Sequence, residues 1–483
     1  MANRDGFRGA NDGPTPYIHS KPESFATEGG KAGDGSVWLQ DPDVTLYHGD
    51  CLDVLRTLPD RSVHMVATSP PFYGLRDYGT GEWEGGNPDC DHAQSHATQN
   101  LDKYGQKHGM GGGHKASSVG SSLPYKSVCG KCGARRVDRQ IGLEETPDQW
   151  VERLVDVFRE CRRVLRDDGT LWIEIGDSYM ANQSSGTNVS PSDSTKTGIS
   201  GAPNSWAGRT NSPGKHPTKQ KDLLGQPWLL AFALRADGWY LRSEIIWARP
   251  NPMPESVTDR PTKSHSTVFL LSKQARYFYD ADAIREQLSP GAKIATGAWD
   301  GPSGGLHNGR AGVKPDGGVT HPAGANARSV WTIPTEPTPF AHFATWPQAL
   351  VRRMILAGTS EKGCCPECGA PWVRQTETEY EHVNNTAPRE MSSYVASRGE
   401  VANKRVTTTG WEPSCLCQPP GTDLGDFEFT YDPVPCTVLD PFAGSGTTCL
   451  VARNHGRHSI GIELNETYLE IARTRLQQLS LLA

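Results

Sequence analysis

The residue types that could do chemistry sit in two short stretches far apart in the chain. Ser69-Pro70-Pro71-Phe72 follows Val63-His64-Met65-Val66-Ala67, an apolar run that reads as a buried strand. The tetrad therefore falls at a strand's carboxyl end, where open α/β sheets bind their ligands. Two prolines fix φ and hold the residue before them extended. The loop presents acceptors, the Ser69 hydroxyl and backbone carbonyls, beside the Phe72 ring. That arrangement suits a flat group carrying an amino substituent.

The second stretch is Val438-Leu439-Asp440-Pro441-Phe442-Ala443-Gly444-Ser445-Gly446-Thr447-Thr448. An apolar strand runs into an acid, a Gly-x-Gly turn and a helix start. The glycines let backbone approach a ligand closely, and free N–H groups at a helix start attract an anion. The Gly-x-Gly-x-x-Gly spacing of pyrophosphate sites is absent, so a carboxylate-bearing ligand fits better. His458–Ile462 reads as a second strand, ending at Glu463, a carboxylate suited to ribose hydroxyls.

In this order the two motifs resemble the amino-group DNA methyltransferases of the β arrangement, in which the catalytic half precedes the S-adenosylmethionine half. The likeness runs over Thr45–Phe72, Trp150–Tyr179, Asp222–Asp280, His342–Gly358 and Thr437–Leu479. It implies a Rossmann-like α/β sheet with permuted motif order. It implies catalysis by Ser69, Pro70, Pro71 and Phe72 on a base flipped from double-stranded DNA. Cofactor contacts would come from Asp50, Phe343, Pro347, Asp440, Pro441, Phe442, Gly444, Gly446 and Glu463. Asp177 and Tyr179 are candidates for the base pocket, with turn formation as the competing reading. The serine of the tetrad resembles N4-cytosine enzymes, whereas N6-adenine enzymes more often carry Asp or Asn there. No cysteine stands in the catalytic loop, which argues against carbon-5 methylation.

The elements that must position these residues follow in chain order. Residues 1–40 are Gly-, Asn- and Pro-rich and read as a flexible arm. Residues 41–73 hold a strand at Thr45–His48, a short helix from Cys51 that Asp50 can also cap, and the catalytic loop. Residues 74–145 read as an insertion whose Cys129-x-x-Cys132-Gly133 knuckle, with Cys90 and His92, suits a structural Zn²⁺. Core elements return over 146–280. Thr146, Pro147 and Gln149 open a helix running through Arg166, a strand follows at Thr170–Ile175, and a helix spans Asp222–Ala236. Strands are expected at Tyr240–Ala248, Ser266–Ser272 and, at the edge, Tyr277–Asp280. A loop at 181–221 carries five basic residues against one acid.

Residues 281–335 are irregular and lie where such enzymes carry target recognition. The segment 336–360 forms a helix at the cofactor wall. Residues 361–432 hold Cys365-x-x-Cys368-Gly369 and Cys415-x-Cys417, the two halves of a zinc ribbon around a hairpin, with Cys364 as an alternate ligand. Residues 433–483 complete the cofactor half. Cys51, Cys161, Cys436 and Cys449 read as core thiols.

The chain has 483 residues, a net charge of −6 and 12 cysteines. That charge is unusual for a nucleic-acid binder, although only a local cleft need be basic. No apolar run is long enough to span a membrane and no signal-peptide pattern opens the chain, so a cytoplasmic protein is expected. A cognate restriction endonuclease is a conceivable partner. The oligomeric state is not legible. Three alternatives stand beside N4-cytosine methylation: N6-adenine methylation, a zinc-dependent DNA-binding protein with an inactive core, and methylation of RNA or a small molecule, which the two zinc modules and long loops disfavour.

Overall fold

The structure is a computed structural model describing residues 34–74, 80–94, 123–124, 128–180, 219, 221–286, 325–337, 345–382, 402–419 and 431–480. Expectations placed on Phe343, on nearly all of the loop 181–221 and on most of 287–335 lie outside these residues.

Among the described residues, fifteen strands and six α-helices run in the order β1 (Asp34–Gln40), β2 (Val44–Gly49), α1 (Cys51–Thr57), β3 (Val63–Thr68), β4 (Glu82–Glu84), β5 (Ala93–Gln94), β6 (Leu123–Pro124), β7 (Arg135–Val137), α2 (Pro147–Val164), β8 (Leu165–Ile175), α3 (Gln226–Ala236), β9 (Tyr240–Ala248), β10 (His265–Ser272), β11 (Val330–Thr332), α4 (Gln348–Gly358), β12 (Trp372–His382), β13 (Ala402–Pro413), β14 (Thr437–Asp440), α5 (Thr447–Asn454), β15 (His458–Glu463) and α6 (Glu466–Ser480). The main sheet has the order β1-β2-β15-β14-β3-β8-β10-β9-β11. Its centre, β2 through β8, is parallel; β10 runs antiparallel to β8 and β9, and β1 antiparallel to β2.

Alternate residues of the central strands face two apolar cores. Val66, Leu171, Ile173 and Leu439 pack with α1, α2 and α3, while Met65, Ala67, Trp172 and Val438 pack with α4 and α5. Helices thus cover both faces, as a parallel sheet requires. α6 closes a third cluster over β2 and α5. The order in which strands are added reverses between β14 and β3: β14 leads through α5 to β15 on one side, and β3 leads through α2 to β8 on the other. Such a switch point leaves a crevice at the strands' carboxyl ends.

Several sequence expectations change. Residues 34–40, placed in the flexible arm, form β1 on the edge of β2. The helix from Thr146 has the expected capping box but stops at Val164, not Arg166, and the chain enters β8 at once. Arg166 is instead spent on Asp168 and the Cys368 carbonyl. Helix α3 begins at Gln226, because Asp222 pairs backbone with Met180. Tyr277–Asp280 is not a strand. Its N–H groups at Phe278 and Asp280 donate to the Asp168 and Ala357 carbonyls, and the edge position is taken by β11, parallel to β9. No helix among the described residues is long and apolar enough to cross a membrane.

Candidate active site and cysteine clusters

The crevice at the switch point is lined by both motifs. Ser69–Phe72 form one wall and Asp440–Ser445 with Ile462–Leu464 the other; Asp50 and Cys51 close one end. Asp50 lines the crevice and also caps α1, its Oδ1 accepting the Leu52 N–H at 2.8 Å.

The Ser69–Phe72 loop is held by several elements. Trp150, fully buried on α2, donates its indole N–H to the Pro71 carbonyl at 2.9 Å. Gln226 at the start of α3 accepts the Tyr73 N–H at 3.2 Å and donates back to the Tyr73 carbonyl at 3.3 Å. Gly176 is required by the Phe72 ring, because a Cβ there would stand 2.8 Å from Phe72 Cε2. Asp177 accepts the Gly225 and Gln226 N–H groups, so it holds the start of α3 in place.

Ser69 points its hydroxyl proton away from solvent, donating to Glu174 Oε2 at 2.8 Å. Glu174 lies on β8 and is 4% exposed. Burial pushes its carboxyl upward, opposed by hydrogen bonds from Ser69 and Ser266 and by the charges of Arg249 and Lys263. With its proton on Glu174, Ser69 offers only lone pairs to the cleft.

The opposite wall is acidic. Asp440 accepts the Thr68 hydroxyl at 2.6 Å, the Thr448 hydroxyl at 2.6 Å and the Phe442 N–H at 3.1 Å. It thereby ties β3, β14 and α5 together, and burial raises its pKa to about 6. Glu463 accepts the Gly444 and Asn465 N–H groups, each at 2.8 Å; burial, with a smaller push from Asp440, raises it to about 7. Gly446, at φ 73°, is the N-cap of α5, and a Cβ there would meet Ala472 at 2.8 Å. It shapes the turn but does not line the cleft. Pro347 also misses it: Pro347 is the N-cap of α4, and Thr345 and Trp346 just before it form that wall. Trp346, Tyr468, Thr80 and Arg139–Ile141, which line the cleft, and Glu174, which lies behind Ser69, are residues that sequence reasoning missed.

Away from the cleft, both sets of cysteines assemble. Cys90, His92, Cys129 and Cys132 bring their ligand atoms within 4.8 Å of one another, and so do Cys365, Cys368, Cys415 and Cys417. The two knuckles share one backbone design. Cys129 N–H donates to Ala134 O and Gly133 N–H to Cys129 O; Cys365 N–H donates to Ala370 O and Gly369 N–H to Cys365 O. The glycines sit at φ 77° and 71°, where a side chain would be strained. The β12–β13 hairpin spans the second cluster as expected. Cys364 is not an alternate ligand there; it lies buried with His64 and Cys436. Both ring nitrogens of His64 are committed, to the Thr437 N–H and the Gly369 carbonyl, so His64 is no ligand either. Cys51, Cys161, Cys436 and Cys449 are buried free thiols.

The DNA methylase family profile matches residues 63–365 and 436–474. The chain is 33% identical over 433 residues to Type II methyltransferase M.Cfr9I of Citrobacter freundii, covering 90% of this chain and 87% of that one. It is 30% identical over 428 residues to Type II methyltransferase M.SmaI of Serratia marcescens, covering 89% of each. Among solved structures, PvuII DNA methyltransferase (cytosine-N4-specific) aligns over 90% of this chain and 86% of its own, at 13% identity and a TM-score of 0.41.

Proposed function

The chain belongs to the DNA methylase family of N6- and N4-directed amino-methyltransferases, and from that premise we propose that it methylates the exocyclic N4 of a cytosine flipped out of duplex DNA at a specific site. The observation that carries this reading is the Ser69–Glu174 pair, 2.8 Å apart, facing an acid-lined pocket. S-adenosylmethionine supplies a methyl group activated by a sulfonium. The residues present fit it, because two buried carboxylates suit a cation and the Gly444 turn and α5 start suit a carboxylate. Asp440, Pro441, Phe442 and Gly444 would cradle its amino-acid part, Glu463 its ribose, and Asp50 its adenine end.

An exocyclic amine is a poor nucleophile because its lone pair is delocalised into the ring. Ser69 Oγ and the Pro70 carbonyl would accept its two hydrogens and favour a more tetrahedral nitrogen. As the new N–C bond forms, the amine must lose one proton. Ser69 can take it while passing its own to Glu174, whose raised pKa makes it a competent sink. Phe72, braced by Gly176, would stack on the base. Most of the rate enhancement then comes from orientation and electrostatics.

The serine of the tetrad favours cytosine over adenine. β3 precedes β14 in the chain, which supports the permuted order. Both cysteine clusters fit structural Zn²⁺: the Cys90–Cys129 sulfurs are 3.7 Å apart and the Cys132 sulfur is 3.6 Å from His92 Nδ1, close to the edge of a tetrahedron built on bonds of about 2.3 Å. The Type II relatives support a cognate restriction endonuclease as partner. The test is transfer of labelled methyl from S-adenosylmethionine to duplex DNA by purified protein, followed by nucleoside mass spectrometry. N4-methylcytosine is expected. N6-methyladenine would overturn the base assignment, and no modified base from folded, cofactor-binding protein would overturn the activity.

A further inference from the structure

One wall of the cleft comes from an unexpected source. Thr80 and Arg139–Ile141 line the pocket, yet they belong to the first cysteine insertion, at the end of the β4–β7 ribbon remote from its cluster. We propose that an ion held by Cys90, His92, Cys129 and Cys132 fixes this ribbon as the outer wall of the cofactor pocket, so that metal occupancy sets cofactor affinity. The proposal rests on the zinc and methyl-donor readings above.

The ribbon couples its two ends through few residues. At the cluster end, His92 stacks on Trp83 of β4 with ring centroids 4.6 Å apart. Gly86 passes so close to the knuckle that a Cβ there would stand 2.8 Å from Cys132 Sγ. β7 starts at Arg135, immediately after the knuckle turn closed by Ala134. At the cleft end one carboxylate gathers both strands: Asp138 Oδ1 accepts the Thr80 hydroxyl at 2.9 Å and the Gln140 N–H at 3.1 Å. Movement of the knuckle is therefore passed along three paired residues to the two segments that face the cofactor.

Little else holds the ribbon in place. Among the described residues, none from 80–138 belongs to any of the three apolar cores. A two-stranded ribbon without a core is marginal in water. Its polar ties to α1 and α2, Arg139 to Asp53 at 3.4 Å and Arg153 to the Arg139 carbonyl at 3.1 Å, are exposed and weak; the firmer hold comes just beyond it, where Ile141 is buried in the first core and the Gly74 N–H donates to the Gly142 carbonyl at 3.0 Å. The second cluster differs: among the described residues of 361–432, none lines the cleft. An ion in the first cluster is thus the organising contact for the cofactor wall, and an ion in the second is not.

Coupling of this kind is reciprocal, because whatever factor the metal adds to cofactor affinity, the cofactor must add to metal affinity. The experiment uses the full wild-type chain, a Cys132→Ser variant and Thr80→Val, with zinc content by elemental analysis and S-adenosylmethionine affinity by calorimetry. Cys132→Ser is expected to lose one zinc per chain and to bind the cofactor at least roughly tenfold more weakly; Thr80→Val is expected to keep its zinc and weaken binding in part. Loss of the zinc with unchanged cofactor affinity would overturn the coupling and leave the zinc reading standing. Equal zinc content in wild type and Cys132→Ser would overturn the metal reading itself and the coupling with it. If Cys132→Ser fails to fold, the wild type still decides: in chelator competition, saturating cofactor is expected to protect one zinc per chain, and identical extraction with and without cofactor would overturn the proposal.

Discussion

The two walls of the cleft are built on opposite plans. On the proposed cofactor wall, Asp440 and Glu463 are held by fixed donors: two threonine hydroxyls, one from β3 and one from α5, and three backbone N–H groups from the turns after β14 and β15. On the catalytic wall, Ser69 depends on Glu174, 105 residues away on β8, and its loop is pinned by α2 and α3. One wall is an electrostatic cradle in which each carboxylate is the end of its contacts, and the other is a relay in which the Ser69 hydroxyl passes on to a second side chain. Binding and chemistry should therefore separate under mutation.

The largest effect is expected at Asp440. Asp440→Ala leaves two buried hydroxyls and one N–H without their acceptor, at about 1–3 kcal/mol each. Denaturant melts should show a large loss of stability, and calorimetry a loss of cofactor binding. A variant that keeps wild-type affinity would erase the proposed division between the walls. Next comes Glu174→Gln, which keeps the shape and removes the proton sink. Single-turnover methyl transfer should slow by about 10²-fold, in line with general acid–base catalysis, while cofactor affinity stays put.

A smaller effect is expected from pH. Burial raises Asp440 to about 6 and Glu463 to about 7. Folded values above the unfolded ones mean that these acids favour the fold fully below the unfolded pKa, and that this contribution is lost as pH rises through 6 to 7. The same ionisation attracts a cationic cofactor. From pH 6 to 8 the free protein should lose stability while S-adenosylmethionine gains affinity, with a weaker gain for S-adenosylhomocysteine, which lacks the sulfonium charge. Equal pH profiles for the two ligands would show that the carboxylates do not meet that charge. Smallest is Thr146→Ala, which removes the N-cap of α2 without touching the cleft and should cost about 0.5–2 kcal/mol, leaving cofactor affinity unchanged.

The same contrast explains what could be read from the sequence. Ser69–Phe72, Asp440 with its glycine turn, Glu463, the Thr146 capping box and both knuckles are local patterns, each formed by residues a few positions apart. Glu174 was invisible because it sits inside Thr170–Ile175, where strand periodicity signals only burial, and its partner is fixed by β3 lying beside β8. The wall from Thr80 and Arg139–Ile141 was hidden because insertions carry no signal for where their ends return. Tyr277–Asp280 looked like a strand by composition, yet its donors are taken by Asp168 and Ala357. Trp346 displaced Pro347 at the cleft because Pro347 caps α4.

The most direct test of the division is the single-turnover rate of N4-methylcytosine formation by Ser69→Ala at saturating S-adenosylmethionine on duplex DNA. A fall of about 10²–10³-fold is expected, the scale of losing one preorganised polar contact at a reacting centre, with cofactor affinity unchanged. A wild-type rate in Ser69→Ala would contradict the assignment of Ser69 to the chemistry and the separation of the two walls.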